Sequence, residues 1–218
     1  MRTNGQGIFG VGGCRVKEMA INMIQEINGR TRTCGLIGNP VEHTLSPLIH
    51  NTLAQELSQN LVYVPFLVSG GVAELAQAVK GAHALNILGM NVTVPYKEAV
   101  LPFLEQIDEL AAKIGAVNTL VRTQNGYKGY NTDMTGLQRA MYSEGISLQG
   151  ESILLLGAGG AARAVAFLCA QCGAKKIYLL NRSLDKAEKV AAEVLYKLVR
   201  QSGAVSYCII YFLLYLLQ

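Results

Sequence analysis

The run GAGGAAR, residues 157–163, is the stretch whose residue types and spacing point most directly to chemistry. Gly157, Gly159 and Ala162 fill the three small-residue positions of a dinucleotide turn. The first glycine permits a tight turn, the second lets a pyrophosphate approach the backbone, and the third small residue allows helix and strand to pack closely. The N-terminus of the helix that follows then faces the phosphates. Alone, such a run is a weak signal. Its place in a complete strand–turn–helix–strand frame favours dinucleotide binding over a merely structural turn. The next apolar run ends in LLNRS, residues 179–183, which puts Asn181, Arg182 and Ser183 where an NAD site usually carries an acid. A carboxylate there would repel a 2′-phosphate, whereas Arg182 can pair with one and stack on adenine, and Lys186 adds charge. NADP is therefore the expected cofactor, against the plainer reading of Arg182 as a solvated loop residue.

A second set of polar residues lies upstream, at the ends of apolar runs. GNPVEHTLSP (38–47) offers the hydroxyls of Thr44 and Ser46, and NVTVPYK (91–97) offers Thr93 and Lys97. GAVNT supplies Asn118, and GYNTD supplies Asn131, Thr132 and Asp133. Each has an ordinary explanation: Ser46 as a helix cap, Asn118 as a strand-end turn residue, Asp133 as the cap of a helix over 134–145. Together, hydroxyl, amide, lysine and carboxylate suit a polyhydroxylated acid.

Regular elements must hold these groups in place. Apolar runs over 33–38, 61–68 and 85–94 read as strands, and 46–57, 72–82 and 104–115 read as helices. The runs 116–122 and 127–131 flank Gln124–Asn125–Gly126 as a hairpin, followed by the helix over 134–145. From about Gln149 a second unit repeats strand, glycine turn, helix, strand, helix. Strands alternating with helices imply parallel sheets with right-handed crossovers. The fold class is two α/β units joined near residues 133–149.

Composition narrows the function classes. Half of the residues are hydrophobic and the net charge is a mild +4 with scattered basic residues, so no nucleic-acid partner is expected. Five cysteines without regular spacing fit a reduced, cytoplasmic protein. The CAQC run at 169–172 reads as two small residues of an apolar helix rather than a zinc or redox site, and no metal is expected. The first thirty residues lack the apolar core of a secretory signal and read as an extension, Gly-rich and then helical around Lys17–Ile27, that reflects an upstream start choice.

The motifs GNPVEHTLSPLIHN, NVTVPYK, IGAVNTL, GYNTD, GAGGAAR and NRS closely resemble, in order and spacing, those of the shikimate dehydrogenase family, over about Thr31 to Val194. The resemblance implies an N-terminal substrate domain, taken as residues 31–137, packed against an NADP-binding Rossmann domain, present in part and taken as 148–204. It implies reversible reduction of 3-dehydroshikimate to shikimate in chorismate and aromatic amino-acid biosynthesis. Residue by residue, Thr44 (serine in many members) and Ser46 match positions that bind the substrate carboxylate. Thr93, Asn118 and Asp133 match those that hold its hydroxyls, and Lys97 matches the catalytic lysine, paired with Asp133. Gly157, Ala158, Gly159, Gly160 and Ala161, with Asn181, Arg182, Ser183 and Lys186, match the NADP contacts. The resemblance leaves open a quinate-accepting or NAD-using variant, and a homodimer.

The tail VSYCIIYFLLYLLQ, residues 205–218, matches nothing in the family's continuation. Its fourteen residues are fewer than the roughly twenty of a membrane span, so no membrane partner is expected. It reads first as the product of a shifted frame or truncation, second as a divergent buried strand or helix, and last as a membrane-attached segment. On the first reading the chain is a poor enzyme or a ligand-binding remnant.

Overall fold

In the computed structural model, residues 27–202 and 208–213 are described, and they form two sheets flanked by helices. The first sheet runs in the order β2-β1-β3-β5-β6-β4. Its strands are β1 (Arg32–Gly38), β2 (Leu61–Leu67), β3 (Gly89–Val92), β4 (Gln106–Ile107), β5 (Thr119–Arg122) and β6 (Tyr127–Tyr130). Helices α1 (Ser46–Glu56) and α2 (Gly71–Ala84) make the crossovers that let β1 pair parallel with β2 and β3. Pro47 sits in the first turn of α1, where a missing amide hydrogen costs no helical bond.

The sheet of this unit is mixed: the parallel pairs expected from strand–helix alternation are joined to the hairpin expected over 116–131. β3 pairs antiparallel with β5, and β5 with β6. The short turn between β5 and β6, where the Thr123 amide donates to the Gly126 carbonyl, imposes that direction. The helix expected over 104–115 is shorter. Residues Leu101–Phe103 form a 3-10 turn, Gln106–Ile107 pair with β6, and helix α3 covers only Glu109–Ile114. Asp108 caps it by accepting from the Leu110 amide at 3.0 Å, and Gly115 closes it at φ 77.

Helix α4 (Asp133–Ser143) leads to the second sheet, in the order β7 (Ser152–Leu156), β8 (Lys176–Asn181), β9 (Cys208–Leu213), all parallel. Helices α5 (Gly160–Gln171) and α6 (Leu184–Ser202) connect them. The tail therefore contributes a strand: Cys208 aligns with Lys176 and Leu213 with Asn181. The sequence CIIYFL, rich in β-branched and aromatic residues, suits that role. Residues 205–207 and 214–218, and the extension up to residue 26, lie outside the described residues. No helix among the described residues is long and apolar enough to cross a membrane.

One core lies in the first unit, around Ile37, Leu75, Val92, Val117 and Tyr127. The other joins Phe167, Leu168, Ile177 and Val190 of the second unit to Ile114, Ala116 and Met134 of the first, so the two units share packed surface. Cys169, in CAQC, is buried there, and burial pushes its thiol up to about 11, away from the reactive thiolate.

Tyr127 is fully buried and its hydroxyl donates to the Ile87 carbonyl at 2.7 Å. Burial pushes its phenol up to about 12, and that of Tyr63 likewise. The unfolded phenol titrates near pH 10, so the folded state holds these protons more tightly. Their contribution is complete below about pH 10 and is lost as pH rises towards 12. Tyr127→Phe is expected to cost about 1–3 kcal/mol at neutral pH, because the buried Ile87 carbonyl loses this partner. It should also flatten, without abolishing, the alkaline loss of stability. Urea unfolding at several pH values measures both, and an unchanged alkaline slope would contradict the assignment.

Candidate active site

β3 ends at Val92, and the chain continues through Thr93 and the cis peptide Val94–Pro95 to Lys97. The Lys97 carbonyl accepts from the Val117 amide at 2.7 Å, which anchors the segment to the chain entering β5. Its ammonium nitrogen stands 2.6 Å from Asp133 Oδ2. The two side chains are 16% and 28% exposed, enclosed yet open to a ligand.

Asp133 is the first residue of α4 rather than its cap. The cap position is Thr132, which makes no side-chain capping bond, and the Asp133 amide donates instead to Asn131 Oδ1 at 3.0 Å. The Asp133 carboxylate is thereby released from capping, and its second oxygen accepts from Asn118 Nδ2 at 2.7 Å. Asn118 is buried and also bonds Thr132 and Thr119, so its amide orientation is set by strand-end neighbours. Lysine, carboxylate and amide from three separate stretches of sequence thus converge.

Thr44 and Ser46 form a second polar group. Their hydroxyls are 3.1 Å apart and the Ser46 amide donates to Thr44 Oγ1, so Ser46 starts α1 without capping it. Tyr63 and Asn91 were not singled out from sequence. The Tyr63 hydroxyl donates to Asn91 Oδ1 at 2.8 Å, and Asn91 Nδ2 reaches Thr119. His50 stacks on the Tyr63 ring with centroids 4.3 Å apart. The available signal was Asn91 at the head of NVTVPYK; Tyr63, in mid-strand, carried none.

The glycine turn lies across a cavity of about 740 Å³ from Thr93 and Lys97. Gly157 has φ +112, which excludes other residues, and a Cβ at Gly159 would meet nothing within 4 Å, leaving open space at the helix start. Gly160 differs: its Cβ would stand 3.0 Å from Lys97 Cβ. Ala158, Ala161, Asn181 and Lys186 also line the cavity, with Lys189, which sequence reading passed over. Asn181 Nδ2 donates to the Ser183 carbonyl at 2.7 Å and shapes the turn on which Arg182 is exposed. Thr44 and Ser46 are not among the residues lining this cavity. The open space at Gly159, the helix N-terminus and the cations at 182, 186 and 189 fit a phosphorylated dinucleotide.

Fold and site define a two-unit α/β protein whose glycine turn shares a cavity with Lys97, the partner of Asp133. The family described as shikimate dehydrogenase substrate binding domain matches residues 36–120, and that described as shikimate / quinate 5-dehydrogenase matches residues 139–203. The chain belongs to the shikimate dehydrogenase family. The shikimate dehydrogenase (NADP(+)) of Desulforamulus reducens is 49% identical over 170 residues, covering 78% of this chain and 58% of the relative. A crystal structure of a shikimate dehydrogenase in complex with NADP+ superposes with TM-score 0.74 at 41% identity, covering 85% of this chain and 63% of that one. The Listeria monocytogenes shikimate 5-dehydrogenase in complex with shikimate and NAD gives 0.73 at 33% identity, covering 87% and 64%. The chain thus spans somewhat over half the length of these relatives.

Proposed function

We propose that this chain carries the substrate site and the glycine turn of an NADP-dependent shikimate dehydrogenase, which reduces 3-dehydroshikimate reversibly to shikimate. The observation that carries the reading is the Lys97–Asp133 pair, 2.6 Å apart, with Lys97 on the cavity that the glycine turn also lines. Residues 31–137 form the substrate part, and the nucleotide part begins at 148 and includes β9. Thr44 and Ser46 hold the substrate carboxylate, while Thr93, Asn118 and Asp133 take its hydroxyls. Gly157–Ala161 receives the pyrophosphate, and Asn181, Arg182, Ser183 and Lys186 receive the adenosine end with its 2′-phosphate.

The cofactor supplies hydride when bound. Lys97 donates a proton to the carbonyl oxygen of 3-dehydroshikimate as charge builds there, and takes it back in the oxidation direction. Asp133 holds the ammonium against the reacting oxygen, and Asn118 holds Asp133. The reading also includes a cytoplasmic location, no nucleic-acid partner, and a homodimer, the last supported by β7 lying at the sheet edge among the described residues.

Titrating NADP and NAD by fluorescence tests the cofactor assignment. NADP is expected to bind more tightly, and Arg182→Ala should narrow the gap by about 1–3 kcal/mol, the scale of a charge-assisted hydrogen bond. Equal affinities in the unmodified chain would favour the NAD-using alternative, and titrating quinate beside shikimate separates the two acids.

A further inference from the structure

Arg163, the last residue of GAGGAAR, holds its charge where almost no solvent reaches it: the residue is 4% exposed. Two carboxylates meet it. Glu193, on α6, takes both terminal nitrogens, with Nη2 at 3.2 Å from Oε1 and Nη1 close on Oε2. Glu98 Oε1 approaches Nε to 3.3 Å from the opposite unit. Nε makes no directed hydrogen bond, so this second arm is an ionic contact.

Glu98 directly follows Lys97, and the same first turn of α5 touches both residues. Gly160 leaves room for Lys97, whose Cβ would be 3.0 Å from a Cβ placed there, and Arg163 reaches Glu98. The two arms differ in kind. The Glu193 arm is two-pronged and joins helices of one unit. The Glu98 arm is single, crosses between units, and has a side chain 42% exposed. Breaking it leaves Arg163 paired with Glu193, whereas removing Arg163 strands two carboxylates beside a core.

We propose that Arg163 is a positioning residue: through Glu98 it ties the Lys97 segment to the nucleotide turn and so couples the acidic-substrate site to the dinucleotide site. The proposal rests on the function proposed above for the identity of those ligands. Lys97 must meet the reacting oxygen at the distance set by the dinucleotide turn, and this contact joins the two. Ligand affinities then depend on each other, since both favour the arrangement that the contact holds.

The test uses Glu98→Gln and Glu98→Ala in the full chain, with shikimate and NADP titrated singly and together by calorimetry. Each ligand alone is expected to bind within about twofold of the unmodified chain, while the factor by which one tightens the other falls at least about fivefold. Backbone hydrogen exchange gives a readout free of ligands. The Val117 amide, bonded to the Lys97 carbonyl, and the Val100 amide, bonded to Tyr96, should exchange about tenfold faster in both variants. Amides of β1 should be unchanged. Unaltered exchange at both positions would overturn the proposal, as would an unaltered coupling factor with both ligands bound. If the unmodified chain binds neither ligand, the function reading fails, and the exchange measurement still decides the contact.

Discussion

Lys97→Ala is expected to cut turnover of 3-dehydroshikimate by about 10²–10⁴, the usual range for a lost general acid–base group. Alanine removes the ammonium that stands 2.6 Å from Asp133 and lines the cavity facing the glycine turn. Asn118 keeps its bond to Asp133, but its amide is no acid at neutral pH. Shikimate affinity should fall far less, because Thr44, Ser46 and Asn118 are held by their own bonds. The variant should also fold, since Asp133 is 28% exposed and water can serve its carboxylate. The ratio of NADPH oxidation rates at saturating substrate measures the effect. It is taken on the 218 residues alone or, where their turnover is too low to follow, on the same residues joined to the remaining length of a curated relative. Near-normal turnover would reduce Lys97 to a structural strand-end lysine.

The second large effect concerns the outer edge of β7. Expressed by itself, the 218-residue chain is expected to self-associate and to oxidise NADPH barely above background, far below the turnover of about 1–10³ s⁻¹ common among enzymes. β9 covers the far edge of β8, but β7 is an edge strand of the described sheet. Leu154 and Leu156 on it are 57% and 74% exposed. Unpaired edges and exposed apolar faces favour association. In open α/β sheets the ligand crevice forms where strand order reverses, beyond that first strand. The Gly157–Ala161 turn and the Arg182 region can hold the adenosine end, while the reactive ring has fewer groups to place it. Joining the remaining length of a relative should raise turnover by about 10² or more, because orientation governs the rate. Light scattering coupled to chromatography and an NADPH assay test both parts. A monomer with ordinary turnover would overturn the argument.

By itself the sequence determined the glycine turn, the missing acid after β8, and the polar residues at strand ends. These signals are local. Gly157 is needed because φ +112 admits little else, and Arg182 follows from its position after an apolar run. Pro47 and Gly115 likewise mark helix ends by chemistry internal to their own turns. The pairing of Lys97 with Asp133 was legible only through the order of the family's motifs, since 36 positions separate them.

Tertiary structure decided the rest. The stretch 104–115 lost half its expected helix because residues 106–107 found a strand partner in β6, which no local pattern announces. CIIYFL became a strand because β8 offered an open edge to an apolar, branched segment. Asp133 left its expected capping role because Asn131 took the amide and Lys97 and Asn118 took the carboxylate. Arg163 shares a helix face with the buried Ala166, Phe167 and Ala170, and it keeps its charge there because carboxylates from two distant segments closed around it. Propensity and turn geometry act within a few residues, whereas pairing and burial depend on neighbours that only the folded chain brings together.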